Sequence, residues 1–99
     1  MTVKKSKDAD RLTIALQGRL NANSSAELLE QLDQELDGVT ELVFDFSELE
    51  FISSAGIRII AAAQKRMDKQ GSMKIKNPNS VVSEIFNMTG LAKVFTIEK

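Results

Sequence analysis

Two pairs of adjacent serines are the side chains of this sequence best suited to group transfer: Ser24-Ser25-Ala26-Glu27 and Ser53-Ser54-Ala55-Gly56. A serine attacks a substrate only when a neighbouring base takes its proton, and the commonest such base is histidine. The chain contains neither histidine nor cysteine. Ser-His-Asp catalysis, disulfides and thiol chemistry are therefore excluded, and the commonest metal ligand is missing as well. An unactivated hydroxyl can still cap a helix, or accept a phosphoryl group from a separate enzyme. One copy continues with glutamate and the other with glycine, and that difference requires a physical reason.

The elements that hold these serines can be read from periodicity. Leu12, Ile14 and Leu16 alternate with Thr13, Ala15 and Gln17, the period of a half-buried strand. The stretch Thr2–Lys7 would be its hairpin partner, turning through Lys7-Asp8-Ala9-Asp10. The segment from Ser24 spaces Leu29, Leu32 and Leu36 as an amphipathic helix, with Leu28 alongside and Gly38 near its end. Leu42–Phe46 is a short run, apolar but for Asp45, that reads as a central strand covered on both faces. A long helix follows from Ser54, with Lys65, Arg66 and Lys69 in its last turns before Gly71, where positive charge suits the helix dipole. Met73 and Ile75 mark a fourth strand. Asn77 and Pro78 then suit the N-cap and first position of a third helix stopping at Gly90, and Lys93–Lys99 closes the chain as a strand. The order is β-β-α-β-α-β-α-β, an α/β fold with a mixed sheet of about five strands, three to four helices and right-handed crossovers.

Ninety-nine residues suit one domain, 1–99, burying roughly 60 to 70% of the unfolded chain's surface. Thirteen Lys and Arg against fourteen Asp and Glu leave a net charge of −1, so no global field draws in nucleic acid or an anionic membrane. The Lys4, Lys5 and Lys7 cluster has no interleaved aromatic platform and reads as a solvated strand face. No apolar run reaches the length of a membrane span and no signal-peptide pattern opens the chain, so a cytoplasmic domain without membrane insertion is expected. With no long apolar edge strand, a monomer is expected too.

Ser24 and Glu27 fit a reciprocal capping box. If Ser53 caps the second helix in the same way, Gly56 stands where the glutamate would be. Glycine there costs about 1 kcal/mol in helix propensity and forfeits the box. A residue with no side chain permits close approach by another group. Ser54 is left at a helix start with free amides and the positive end of the dipole, where phosphate is favourably placed. Cap and tight turn alone also account for such a junction, and local chemistry favours that simpler reading.

The chain as a whole resembles the STAS domain family, in its branch of bacterial anti-sigma factor antagonists. "LVFDFSELEFISSAGIRII" is similar to that family's central strand and serine-bearing helix start, "GRLNANSSAELLEQL" to its Gly-x-Leu-Asp turn and first helix, and "IFNMTGLAKVF" to its C-terminal Met-x-Gly-Leu segment. The resemblance implies a non-enzymatic partner-switching module with no cofactor or metal. Its unphosphorylated form would bind an anti-sigma factor that is also a GHKL-type serine kinase, and a PP2C-type phosphatase would reverse the phosphorylation. Carried onto this chain, the phosphoacceptor falls on Ser54, with Ser53 as second choice. The partner surface would comprise Asn21, Ser53, Ser54, Gly56, Ile57 and Arg58, with Phe51 flanking it. Asn21 replaces the family's Asp, Ser53 replaces an Asp before the acceptor, and Ala55 replaces a frequent Ser or Thr after it.

For Phe51 and Ile57 burial in the core is an equally good reading, and Asn21 is equally a turn-former. Leu91 reads as packing at a helix stop, and Met67, Met73 and Met88 as core or gap-filling side chains. An alternative within the same family is a constitutive subunit packed on the ATPase of a lipid ABC transporter, which needs no accessible serine at 54. A nucleotide-binding enzyme is disfavoured, because no Gly-x-x-x-x-Gly-Lys loop is present.

Overall fold

In the computed structural model, which describes residues 1–98, β1 (Thr2–Asp8) and β2 (Arg11–Leu20) form the hairpin through a turn in which Ala9 adopts φ +55°. The elements that follow are α1 (Ala22–Glu35), β3 (Glu41–Ile52), α2 (Ser54–Gln70), β4 (Ser72–Lys76), α3 (Ser80–Thr89), a 3-10 turn (Leu91–Lys93) and β5 (Ile97–Glu98). The sheet order is β1-β2-β3-β4-β5, antiparallel at the hairpin and parallel thereafter. This is the expected α/β fold and element order. The three parallel crossovers advance in one direction across the sheet, and one hand for all of them puts the helices on a single face, where they share one core.

That face carries the core. Leu12, Ile14 and Leu16 of β2, Leu42, Phe44 and Phe46 of β3, and Met73 and Ile75 of β4 are all buried together with Leu28, Leu32, Ile60, Met67 and Phe86 of the helices. Phe44, Phe46, Phe86 and Phe95 form a continuous run of rings, with successive centroids 5.8, 6.4 and 5.4 Å apart. Among the described residues, helices cover one face of β3 and not both as expected. The opposite face is polar: Arg11 and Lys74 each approach Glu41 at 3.6 Å, and Lys74 also reaches Glu98. Val43 is nonetheless buried there, between Thr13 and Lys74 in register, because long charged side chains cover apolar surface with their stems.

Several local expectations are corrected. The first helix is capped by Asn21, whose Oδ1 accepts from the Ser24 N–H at 3.1 Å while the Asn21 N–H donates to Ser24 Oγ at 2.9 Å. The box expected between Ser24 and Glu27 is thus displaced by one between Asn21 and Ser24. β2 ends at Leu20, so the next residue is the first able to cap, and Asn caps as well as Ser. Leu28, Leu32 and Leu36 are the leucines that face inward, and Leu29 is left 39% exposed. Likewise α3 is capped by Asn79 rather than Asn77. The Asn79 Oδ1 accepts from Val82 N–H at 2.8 Å, and its Nδ2 donates to the Leu49 carbonyl at 3.0 Å. Pro78 therefore lies before the helix. Met67 and Met73 are buried as expected, but Met88 is 79% exposed on the outer side of α3. Of the closing segment only Ile97–Glu98 pairs as a strand among the described residues, and Lys99 lies outside them.

Candidate functional site

β2 and β3 run parallel and end together, Leu20 opposite Ile52. The helices that follow them, α1 and α2, therefore start side by side at the C-terminal edge of the sheet. The Ser53 N–H donates to the Leu20 carbonyl at 2.8 Å and ties the two starts together. Ser53 is the N-cap of α2, as expected: its Oγ accepts from the Gly56 N–H at 3.2 Å, and its carbonyl accepts from the Ile57 N–H at 2.9 Å. One hydroxyl of the Ser53-Ser54 pair is thereby engaged in structure. Ser54, the first residue of the helix, is exposed.

Gly56 answers the contrast between the two serine pairs. It is buried, and a Cβ at this position would lie 2.8 Å from Leu20 Cγ and 2.9 Å from Ile52 Cγ1. The group that approaches closely is the domain's own core, which seats the start of α2 directly on the ends of β2 and β3. No glycine is needed at the start of α1, where Ser24 at the equivalent third position completes the capping box.

The six residues anticipated for the partner surface separate by exposure. Asn21, Ser54 and Arg58 are exposed, Ser53 is half-buried, Ile57 is half-buried and packed on the core, and Gly56 is buried. Asn21 and Ser54 each follow directly on a member of the Leu20–Ser53 hydrogen bond, so the sheet register brings them to one edge. Phe51 is half-buried, and the Arg19 guanidinium lies 5.2 Å from its ring centroid. That pair was not anticipated. Its signal was available only through register, which sets Arg19 opposite Phe51 on adjacent strands. A separate open cleft of about 550 Å³ at the start of α3, lined by Asn77, Pro78, Ser80, Ser83, Glu84 and Asn87, includes none of these residues.

Residues 3–97 match the family profile described as "Mlab, STAS domain". The chain belongs to the STAS domain family. Among curated relatives, it is 30% identical over 88 residues to BtrV of Bordetella bronchiseptica, named as a candidate anti-sigma factor antagonist; the match covers 87% of this chain and 76% of BtrV. It is 27% identical over 85 residues to the anti-sigma-F factor antagonist RsfB of Mycobacterium tuberculosis, covering 85% of this chain and 70% of that protein. The STAS fold is shared with the anti-sigma factor antagonist SpoIIAA in its unphosphorylated form at a TM-score of 0.86 and 18% identity, over 99% of this chain and 89% of that one. The phosphorylated form of SpoIIAA, a Bacillus cell fate determinant, aligns at 0.78 and 17% identity, over 99% and 92% of the two chains. Among the described residues, no helix of this STAS domain is long and apolar enough to cross a membrane.

Proposed function

We propose that this STAS domain is an anti-sigma factor antagonist, in which the edge carrying Asn21, Ser54 and Arg58 binds an anti-sigma factor and phosphorylation of Ser54 ends that binding. The observation that carries the reading is the division of labour at the start of α2: Ser53 is occupied as the cap, and Ser54 stands exposed beside it. The names of BtrV and RsfB support the class of partner.

In this reading the anti-sigma factor is itself a GHKL-type serine kinase. Ser54 Oγ attacks the γ-phosphorus of ATP, the bond from that phosphorus to the ADP oxygen breaks, and the hydroxyl proton passes to a base of the kinase. A PP2C-type phosphatase returns the serine by hydrolysis. The added phosphate carries about −1.5 to −2 charges. At a helix start that charge is tolerated within the free domain, so the fold is kept. Against a partner surface fitted to a neutral hydroxyl it costs several kcal/mol, and about 2.8 kcal/mol already corresponds to a hundredfold loss of affinity.

The deciding experiment is retention of partners from native lysate on the wild-type domain and on Ser54→Ala and Ser54→Asp variants, read by mass spectrometry. Retention of a GHKL-type kinase by Ser54→Ala and its loss from Ser54→Asp is the expected result. Identical retention by all three, with transporter subunits in the set, would replace this reading with that of a constitutive STAS subunit.

A further inference from the structure

We infer that Arg58 holds the phosphate of phosphorylated Ser54, so that modification adds negative charge to the surface and at the same time withdraws a guanidinium from it. The inference rests on the reading of Ser54 as the phosphoacceptor.

Ser54 is the first residue of α2, and Arg58 lies one turn further on, both exposed. Side chains four apart on a helix are neighbours, with Cβ atoms about 5–6 Å apart. A helical side chain leans towards the N-terminus, so the long arm of Arg58 covers the turn that Ser54 begins. Nothing large intervenes, because Gly56 has no side chain and Ile57 packs on the core.

The guanidinium is also uncommitted. Of the four arginines, Arg11 and Arg66 pair with Glu41 and Asp37, and Arg19 lies over the Phe51 ring. Arg58 alone has neither a carboxylate nor an aromatic partner among the described residues. Within α2 the one acidic residue is Asp68, which accepts from Gln64 Nε2 at 2.8 Å, far down the helix. A phosphate dianion on Ser54 thus meets a free cation with matching geometry, since guanidinium donates two parallel bonds to phosphate oxygens.

The arrangement gives Arg58 two states. In the unmodified domain it presents its donors outward, at the edge where a partner docks, and arginine is among the residues that contribute most at interfaces. In the phosphorylated domain it folds back onto the phosphate. The partner then loses a donor as well as meeting a charge, and dephosphorylation restores both features together.

The test installs phosphoserine at position 54 of the full chain by genetic encoding, with Arg58 retained or replaced as Arg58→Gln or Arg58→Lys. Melting temperature at low salt and the arginine Nε–H signals in a 1H–15N spectrum are measured with and without the phosphate. The expected result is a rise in Tm of about 2–5 °C on phosphorylation of the arginine chain, with a shifted Arg58 Nε–H signal. That rise should be largely lost in Arg58→Gln and partly kept in Arg58→Lys. Stabilisation by the helix dipole is common to all three chains and cancels. An equal effect of phosphate in the three chains, with an unmoved Nε–H signal, overturns the inference. Because the phosphate is installed directly, that result leaves the kinase reading untouched; failure of the lysate experiment would instead remove the kinase reading and leave a measured pair in place.

Discussion

The Ser53 N–H donates to the carbonyl of Leu20 at 2.8 Å, joining the end of β3 to the end of β2 just before both chains turn into helices. This bond makes the candidate surface a property of the sheet rather than of either helix. Asn21 follows one partner and Ser54 the other, and a slip in the β2–β3 register would separate them.

Gly56→Ala tests how tightly that edge is packed. The new methyl meets Leu20 and Ile52 side-chain atoms below 3 Å, and overpacking of this kind costs about 1–3 kcal/mol. The gain in helix propensity offsets only about 1 kcal/mol of it. A net loss of about 1 kcal/mol is expected in urea unfolding. An alanine variant more stable than the parent would show that α2 can shift away from the strand ends at no cost.

The two serines should part company in stability. Ser53→Ala removes the cap on the Gly56 amide and is expected to lower stability by about 1 kcal/mol. The Ser54 hydroxyl is exposed and makes no hydrogen bond among the described residues, so Ser54→Ala should stay within about 0.5 kcal/mol. Thermal melts of the pair decide it; equal losses would mean that Ser54, too, holds the helix start.

At the start of α1, Asn21→Ala breaks the box with Ser24 and is expected to cost about 1 kcal/mol. Glu27→Ala should cost almost nothing, because Glu27 is exposed and outside the box. Comparison of their unfolding midpoints distinguishes a cap at Asn21 from one at Ser24.

Gly71→Ala is expected to be the most damaging of these changes. A Cβ there would lie 1.9 Å from the Thr40 carbonyl oxygen, which itself accepts from the Ser72 N–H at 2.9 Å. Backbone cannot swing aside as a side chain can, so a loss of about 3 kcal/mol or more follows. Circular dichroism melts would reveal it as a large drop in Tm, and a small drop would mean the α2–β4 connection can be rebuilt.

Much of this is legible in the sequence. Alternation of Leu12, Ile14 and Leu16 marks β2, and the breaks at Gly71 and Gly90 end α2 and α3 as expected. The cap at Ser53, and with it the free position at Ser54, follows from the residue types at the junction. These are local features: a strand repeats every two residues, a helix every 3.6, and a cap satisfies amides within its own turn. The resemblance carried by three motifs in order added the family, which the match over residues 3–97 bears out.

What local chemistry left open was which of two adequate residues takes each role. Asn21 and Ser24 can both start α1, and Asn77 and Asn79 can both start α3. The choice falls to the residue that the end of the preceding strand places against a distant carbonyl or a buried face, as Asn79 meets Leu49. The purpose of Gly56 was equally hidden, because one of the two side chains that need the space, Leu20 beside Ile52, belongs to β2, far away along the chain. Periodicity and capping act within a few residues and can be read along the chain; steric exclusion and sheet register act between residues far apart in it, and they exist once the strands have paired.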